Sequence, residues 1–132
     1  LLAAAHRAGV WTISAMGAAT RTDPLAIRVA DLAHTERCPL ARWVRRRLRA
    51  LGIVSGIRCV YSIEPAPRAA EAAADPPPAE FELRRGRARR ALGSLPTVTG
   101  MFGLVAAHEA ILHLARGADA ARGPDRPRSP AG

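Results

Sequence analysis

The chain has 132 residues, enough for one domain at most, and 48% of them are apolar but only 4% aromatic. Twenty arginines with no lysine stand against 11 acidic residues, a formal net charge of +9. Five Phe, Trp and Tyr residues are too few for a base-stacking nucleic-acid platform, and two cysteines, Cys38 and Cys59, cannot build a disulfide framework. The 29 alanines and the absence of Lys, Asn and Gln mark a general compositional bias, so net charge alone says little about partners.

In chain order, Leu1 to Ala8 reads as the tail of a helix that Gly9 ends, so the chain is expected to open inside an element of a longer protein. Its apolar start is too short for a signal-peptide core. Val10 to Met16 reads as a short strand closed by Gly17-Ala18-Ala19. After a turn at Asp23-Pro24, Leu25, Ile27 and Val29 alternate with Ala26, Arg28 and Ala30, a second strand running to Asp31. Pro39 suits the first turn of a helix in which Leu40, Trp43, Val44, Leu48 and Leu51 recur at helical spacing, up to Gly52. Ile57 to Ile63 forms a third strand.

Residues 65–92 change composition to Pro, Ala and an arginine cluster, and read as a long surface loop inserted within a domain that spans 1–116. Pro96 opens a last helix to about Arg116, apolar on most faces. It is expected to be buried by a sheet and a second subunit and not to insert stably in a membrane. Residues 117–132 read as a disordered tail. Helices alternating with three strands indicate an α/β layer structure whose sheet is incomplete.

The chemistry-bearing motifs are sparse. There is no Gly-x-Gly-x-x-Gly and no Walker loop. His108 and His113 are five residues apart and do not share a helix face, so Glu109 between them completes no metal site. Cys38 before Pro39 stands at a helix N-terminus, where a thiol pKa falls and the sulfur gains nucleophilicity; it equally suits packing. Cys59 reads as an inert buried thiol. Arg84, Arg85 and Arg87, with Arg45 and Arg46 on the second helix, are candidates for RNA phosphates or a solvated charge run. Gly17 and Ala18 at a strand end leave room for close ligand approach. Asp23 suits a turn, Glu64 a salt bridge at a strand end, and Thr97 and Thr99 offer hydroxyls to an anion.

Taken together, five blocks resemble the second half of the ThiF/MoeB/HesA superfamily of ubiquitin-activating-enzyme-like adenylating enzymes. They are Ser14-Ala15-Met16-Gly17-Ala18 with Asp23-Pro24; Val29-Ala30-Asp31-Leu32; Cys38-Pro39-Leu40-Ala41-Arg42 with Arg45, Arg46 and Leu48; Val60-Tyr61-Ser62-Ile63-Glu64; and Gly93-Ser94-Leu95 opening a helix with Gly103 and Glu109. The match is strongest to the branch that dehydrates threonylcarbamoyladenosine in tRNA. The resemblance implies the C-terminal part of a Rossmann-like domain with a mixed sheet, and a cytoplasmic, homodimeric enzyme that adenylates a carboxylate with ATP and Mg. The activated carboxylate would be the threonylcarbamoyl group of tRNA or, alternatively, the C-terminus of a sulfur-carrier protein.

On this resemblance the ATP-holding residues lie upstream, and these residues alone bind no nucleotide or metal and are inactive. Their share is the substrate side, with Gly17, Ala18, Asp23, Arg42, Ser62, Glu64, Thr97 and Thr99 as candidates. Where relatives continue Gly-Asn after Met16-Gly17-Ala18, this chain has Ala19-Thr20. A reading of another class, a non-catalytic basic domain binding RNA or a partner, stands beside the enzyme.

Overall fold

A computed structural model describes residues 1–65 and 93–122. The expected insertion, with Arg84, Arg85 and Arg87, lies outside the described residues apart from Pro65, as does the expected tail from 123 onward. Three strands form one sheet: β1 (Ile13–Ala15), β2 (Ile27–Asp31) and β3 (Arg58–Ser62), in the order β1-β3-β2. β3 pairs parallel to β1, with Ser14 opposite Cys59, and antiparallel to β2, with Val29 opposite Val60. The mixed α/β sheet expected from the sequence is therefore present.

The central strand is covered on both faces, and its side chains divide by the two-residue period of a strand. Cys59 and Tyr61 join a core of Met16, Leu32, Ala41, Leu48 and Ile57 beneath helix α2 (Pro39–Arg49). Val60 faces the other way, onto Val98 and Phe102 of helix α3 (Pro96–Arg122). Burying Phe102 stabilises that layer by about 1.5–3 kcal/mol. Short helix α1 (Leu2–Arg7) adds Leu2 and Ala3 at the edge of the α2 core.

Several boundaries differ from the sequence reading for local reasons. The segment read as one strand from Leu25 begins as a 3₁₀ turn, Pro24–Ala26, because the Asp23 carboxylate accepts the Leu25 amide and caps it. Asp31 repeats the device: one oxygen accepts the Ala33 amide at 2.8 Å and the other the Gly56 amide at 2.6 Å. The first strand is trimmed to three residues.

Helix α3 is helical through Arg122, past the expected boundary, and among its described side chains the chain itself buries one stripe. Val98 and Phe102 lie on the sheet, while Leu104, Ile111 and Leu114 are 68%, 63% and 70% exposed. Two polar contacts hold the far end of that stripe. His113 stacks on Trp11 with ring centroids 4.1 Å apart, and Glu109 pairs with Arg58 at 2.6 Å. By length and composition, Pro96–Gly117 would also suffice to cross a membrane.

Two glycines with left-handed backbone separate conformational from steric demands. Gly52 (φ +78°) has open space around an added Cβ, whereas at Gly56 (φ +92°) that atom would meet the His6 ring at 2.8 Å. Gly52→Ala is expected to cost about 1 kcal/mol from backbone strain alone. Gly56→Ala should cost clearly more in urea unfolding of the same protein; equal losses would show that His6 gives way freely.

Candidate functional site

Because β1 and β3 run parallel, their C-terminal ends emerge together, and this is the end of an α/β sheet where ligands bind. Four segments converge there. The turn after β1 runs from Met16 to Asp23. Thr20 donates its amide to the Gly93 carbonyl at 2.7 Å, which brings the entrance of α3 alongside. Ile63 donates to the Ala26 carbonyl, so the exit of β3 lies against the start of β2. The residues just before α2 are held through Arg37.

The tie among these segments is Arg21, which is 2% exposed. Nη1 donates to the Glu64 carbonyl and Nη2 to the Arg37 carbonyl, while buried Nε has no partner among the described residues. Residues on either side of this bridge are bent into left-handed backbone: Thr20 at φ +65° and Arg37 at φ +53°. For a β-branched residue that conformation is strained, by about 1–3 kcal/mol, and persists only where neighbours impose it. At Thr20 the amide bond to Gly93 and the hydroxyl bond to the Ala19 carbonyl impose it.

Glu64 completes the tie. Its carboxylate accepts the amides of Thr22 and Asp23, at 2.9 and 3.0 Å, and the Thr22 hydroxyl at 3.1 Å. These backbone donors hold its pKa below the ordinary glutamate value, with Arg21 adding to the effect. The carboxylate expected as a strand-end salt bridge is instead a clasp on the turn after β1, and its lone pairs are committed there.

The other predicted site residues divide between this end of the sheet and structural tasks. Gly17 sits on the turn, and an added Cβ would meet the Leu40 side chain at an ordinary 3.8 Å, so close approach within the chain does not demand glycine. Ala18 packs toward Val60, Val98 and Phe102. Asp23 is a turn former. Ser62 is 1% exposed, and its hydroxyl accepts the Glu64 amide. At the α3 entrance Thr97 is exposed, while the Thr99 hydroxyl bonds with that of Ser94 at 2.8 Å. Arg42 is exposed on the first turn of α2.

Two readings change. Cys38 does precede α2 but is 5% exposed within the core beneath that helix, so the reactive-thiol reading lacks the solvent access it requires. Arg45 is not a surface cation: Nη1 donates to the Leu32 and Thr35 carbonyls and to the Thr35 hydroxyl, closing the 3₁₀ turn Leu32–His34. Cys59 is fully buried and its thiol is pushed up to about 12, chiefly by burial, as an inert thiol requires. Among the described residues no three His, Cys, Asp or Glu side chains gather as metal ligands.

The depressed Glu64 pKa carries a sign. A carboxylate more acidic folded than unfolded adds stability above its unfolded pKa, and that contribution is lost as pH falls through the folded value. Glu64→Gln should therefore lower the melting temperature at neutral pH, and the gap to wild type should close as pH descends through the carboxylate range. A gap independent of pH would show that the charge is not what holds the turn.

No family model matches the chain. The chain is 43% identical over 115 residues to tRNA threonylcarbamoyladenosine dehydratase 2 of Saccharomyces cerevisiae, an alignment covering 79% of this chain and 25% of that protein. Against the tRNA threonylcarbamoyladenosine dehydratase of Bacillus subtilis it is 44% identical over 52 residues, covering 39% of this chain and 20% of the relative. Its fold is similar to the Escherichia coli tRNA N6-threonylcarbamoyladenosine dehydratase TcdA, solved in complex with ATP, with a TM-score of 0.69 and 28% identity. That match covers 93% of this chain and 44% of that one. The chain thus spans about a quarter of the yeast relative and under half of the solved enzyme. Over that span it is a homologue of the ThiF-type tRNA threonylcarbamoyladenosine dehydratases and carries part of their α/β domain.

Proposed function

We propose that these residues form the substrate-side part of an ATP-dependent enzyme that adenylates the threonylcarbamoyl carboxylate on a tRNA adenosine and cyclises it with loss of water. The observation that carries this reading is the 43% identity to a yeast dehydratase over 115 residues, in a chain that folds as part of such an enzyme. The chemistry is coherent. A carboxylate is a poor electrophile, and attaching AMP gives it a good leaving group, so ring closure follows without a strong nucleophile.

The residues described here do not fit a nucleotide site. The sequence has no glycine-rich phosphate loop, and the Glu64 carboxylate and one oxygen of Asp23 accept backbone amides of the chain. ATP and Mg are accordingly assigned to the remainder of the enzyme. The contribution of this part is shape: Arg21 and Glu64 fix the turn from Gly17 to Asp23, and the hydroxyls of Thr97 and Thr99 stand at the entrance of α3. The reading also assigns the exposed apolar face of α3, with Leu104, Ile111 and Leu114, to a second subunit, and the protein to the cytoplasm with its tRNA. A sulfur-carrier protein as acceptor is the alternative within the same chemistry.

The test uses the complete protein encoded by the gene's full reading frame. ATP–pyrophosphate exchange is expected with tRNA bearing threonylcarbamoyladenosine and not with unmodified tRNA. Exchange that responds instead to a carrier protein's C-terminus would move the assignment to that substrate. Absence of ATP binding would leave only a basic binding domain.

A further inference from the structure

We propose that Arg21 is a positioning residue for the adenylation step: its buried guanidinium holds the turn from Gly17 to Asp23 in register with the entrance of α3, and turnover depends on that register. The inference rests on the reading above, in which this part is the substrate side of the enzyme. It goes beyond that reading by giving one side chain a part in the rate rather than in stability.

Three local costs of the structure meet at this side chain. Among the described residues, the one buried side-chain nitrogen or oxygen without a hydrogen-bond partner is Arg21 Nε. The non-glycine residues with left-handed backbone among them are two, Thr20 (φ +65°) and Arg37 (φ +53°). Thr20 directly precedes Arg21, and the carbonyl of Arg37 accepts from Nη2. Strain and an orphaned donor gathered at the exit of a parallel strand pair, where α/β sheets bind ligands, mark a functional locus.

Stability alone does not call for arginine here. A buried cation must be desolvated, and an apolar side chain of similar volume is often neutral or better. What the guanidinium supplies is a planar fork of donors at a fixed angle. One reaches the Glu64 carbonyl past the end of β3, and another the Arg37 carbonyl ahead of α2, at 3.3 Å. The neighbouring Thr20 amide donates to the Gly93 carbonyl at 2.7 Å, which carries the same constraint to the entrance of α3, where Thr97 is exposed. At 2% exposure the guanidinium lies out of a substrate's reach, so it acts through the backbone it aligns and not by contact.

The experiment measures ATP–pyrophosphate exchange by the complete protein with tRNA bearing threonylcarbamoyladenosine, well below the melting temperature, for wild type, Arg21→Met and Arg21→Lys. Removing the fork in Arg21→Met should lower kcat by about 10–100-fold, as displacing a reacting group does, with the KM for ATP unchanged. Arg21→Lys keeps the charge and can reach one carbonyl but not both, so kcat should recover part of that loss. Folded fraction is followed by circular dichroism, because a merely structural role would lower kcat only in proportion to the unfolded protein and would be relieved by cooling. If Arg21→Met does not fold, Arg21→Lys carries the test on the same division between kcat and KM. An unchanged kcat in the folded variant, a loss that vanishes when scaled to folded protein, or a loss confined to the KM for ATP overturns the proposal. Wild-type exchange with unaffected variants removes only this role of Arg21, whereas wild-type protein that does not exchange with this tRNA removes the underlying reading as well.

Discussion

A buried guanidinium organises the end of the sheet where β1 and β3 exit. Arg21 lies at 2% exposure where two strand exits and the approach to α2 meet, and its donors reach the carbonyls of Glu64 and Arg37. A cation in that position is costly to desolvate and is tolerated because backbone carbonyls receive it and the Glu64 carboxylate stands close by. In return the turn after β1 has no freedom to drift. Its backbone is held by Arg21 from within, by Glu64 through the Thr22 and Asp23 amides, and by Gly93 through Thr20. The left-handed conformations at Thr20 and Arg37 are the local cost of that arrangement.

The two faces of the sheet have different fates. Beneath α2 the core is closed, with Cys38, Cys59, Leu48 and Ile57 all buried. On the other face α3 covers the sheet with a single stripe and turns Leu104, Ile111 and Leu114 outward. The chain spans under half of the solved relative. In the enzyme proposed above, this part contributes an edge whose turn is held by Arg21 and Glu64.

Much of this was legible in the sequence because period and punctuation are local properties. Pro39 and Pro96 mark the two long helices, and the alternating pattern of β2 survives once Asp23 claims its first turn. The mixed sheet followed from the family resemblance rather than from any pattern in the residues, since strand direction leaves no local trace. Burial was less legible. Apolar composition along α3 called for a sheet and a second subunit, because hydrophobicity reports what a face needs and not whether the partner is in the same chain. Arg21 was missed altogether. Within Thr20-Arg21-Thr22-Asp23 it looks like one more surface arginine in an arginine-rich chain, and only the meeting of segments distant in sequence makes it a core residue. Nothing in the sequence sets Arg45 apart from the other arginines of α2; its bonds to the 3₁₀ turn at Leu32–His34 do.

The most direct measurement of the central claim is the mass of the nucleoside released from threonylcarbamoyladenosine-bearing tRNA after incubation with the complete protein and ATP. The proposed dehydration gives a nucleoside lighter by one water, formed only when ATP is present. A nucleoside of unchanged mass, from a folded protein that binds both ATP and the tRNA, would contradict it.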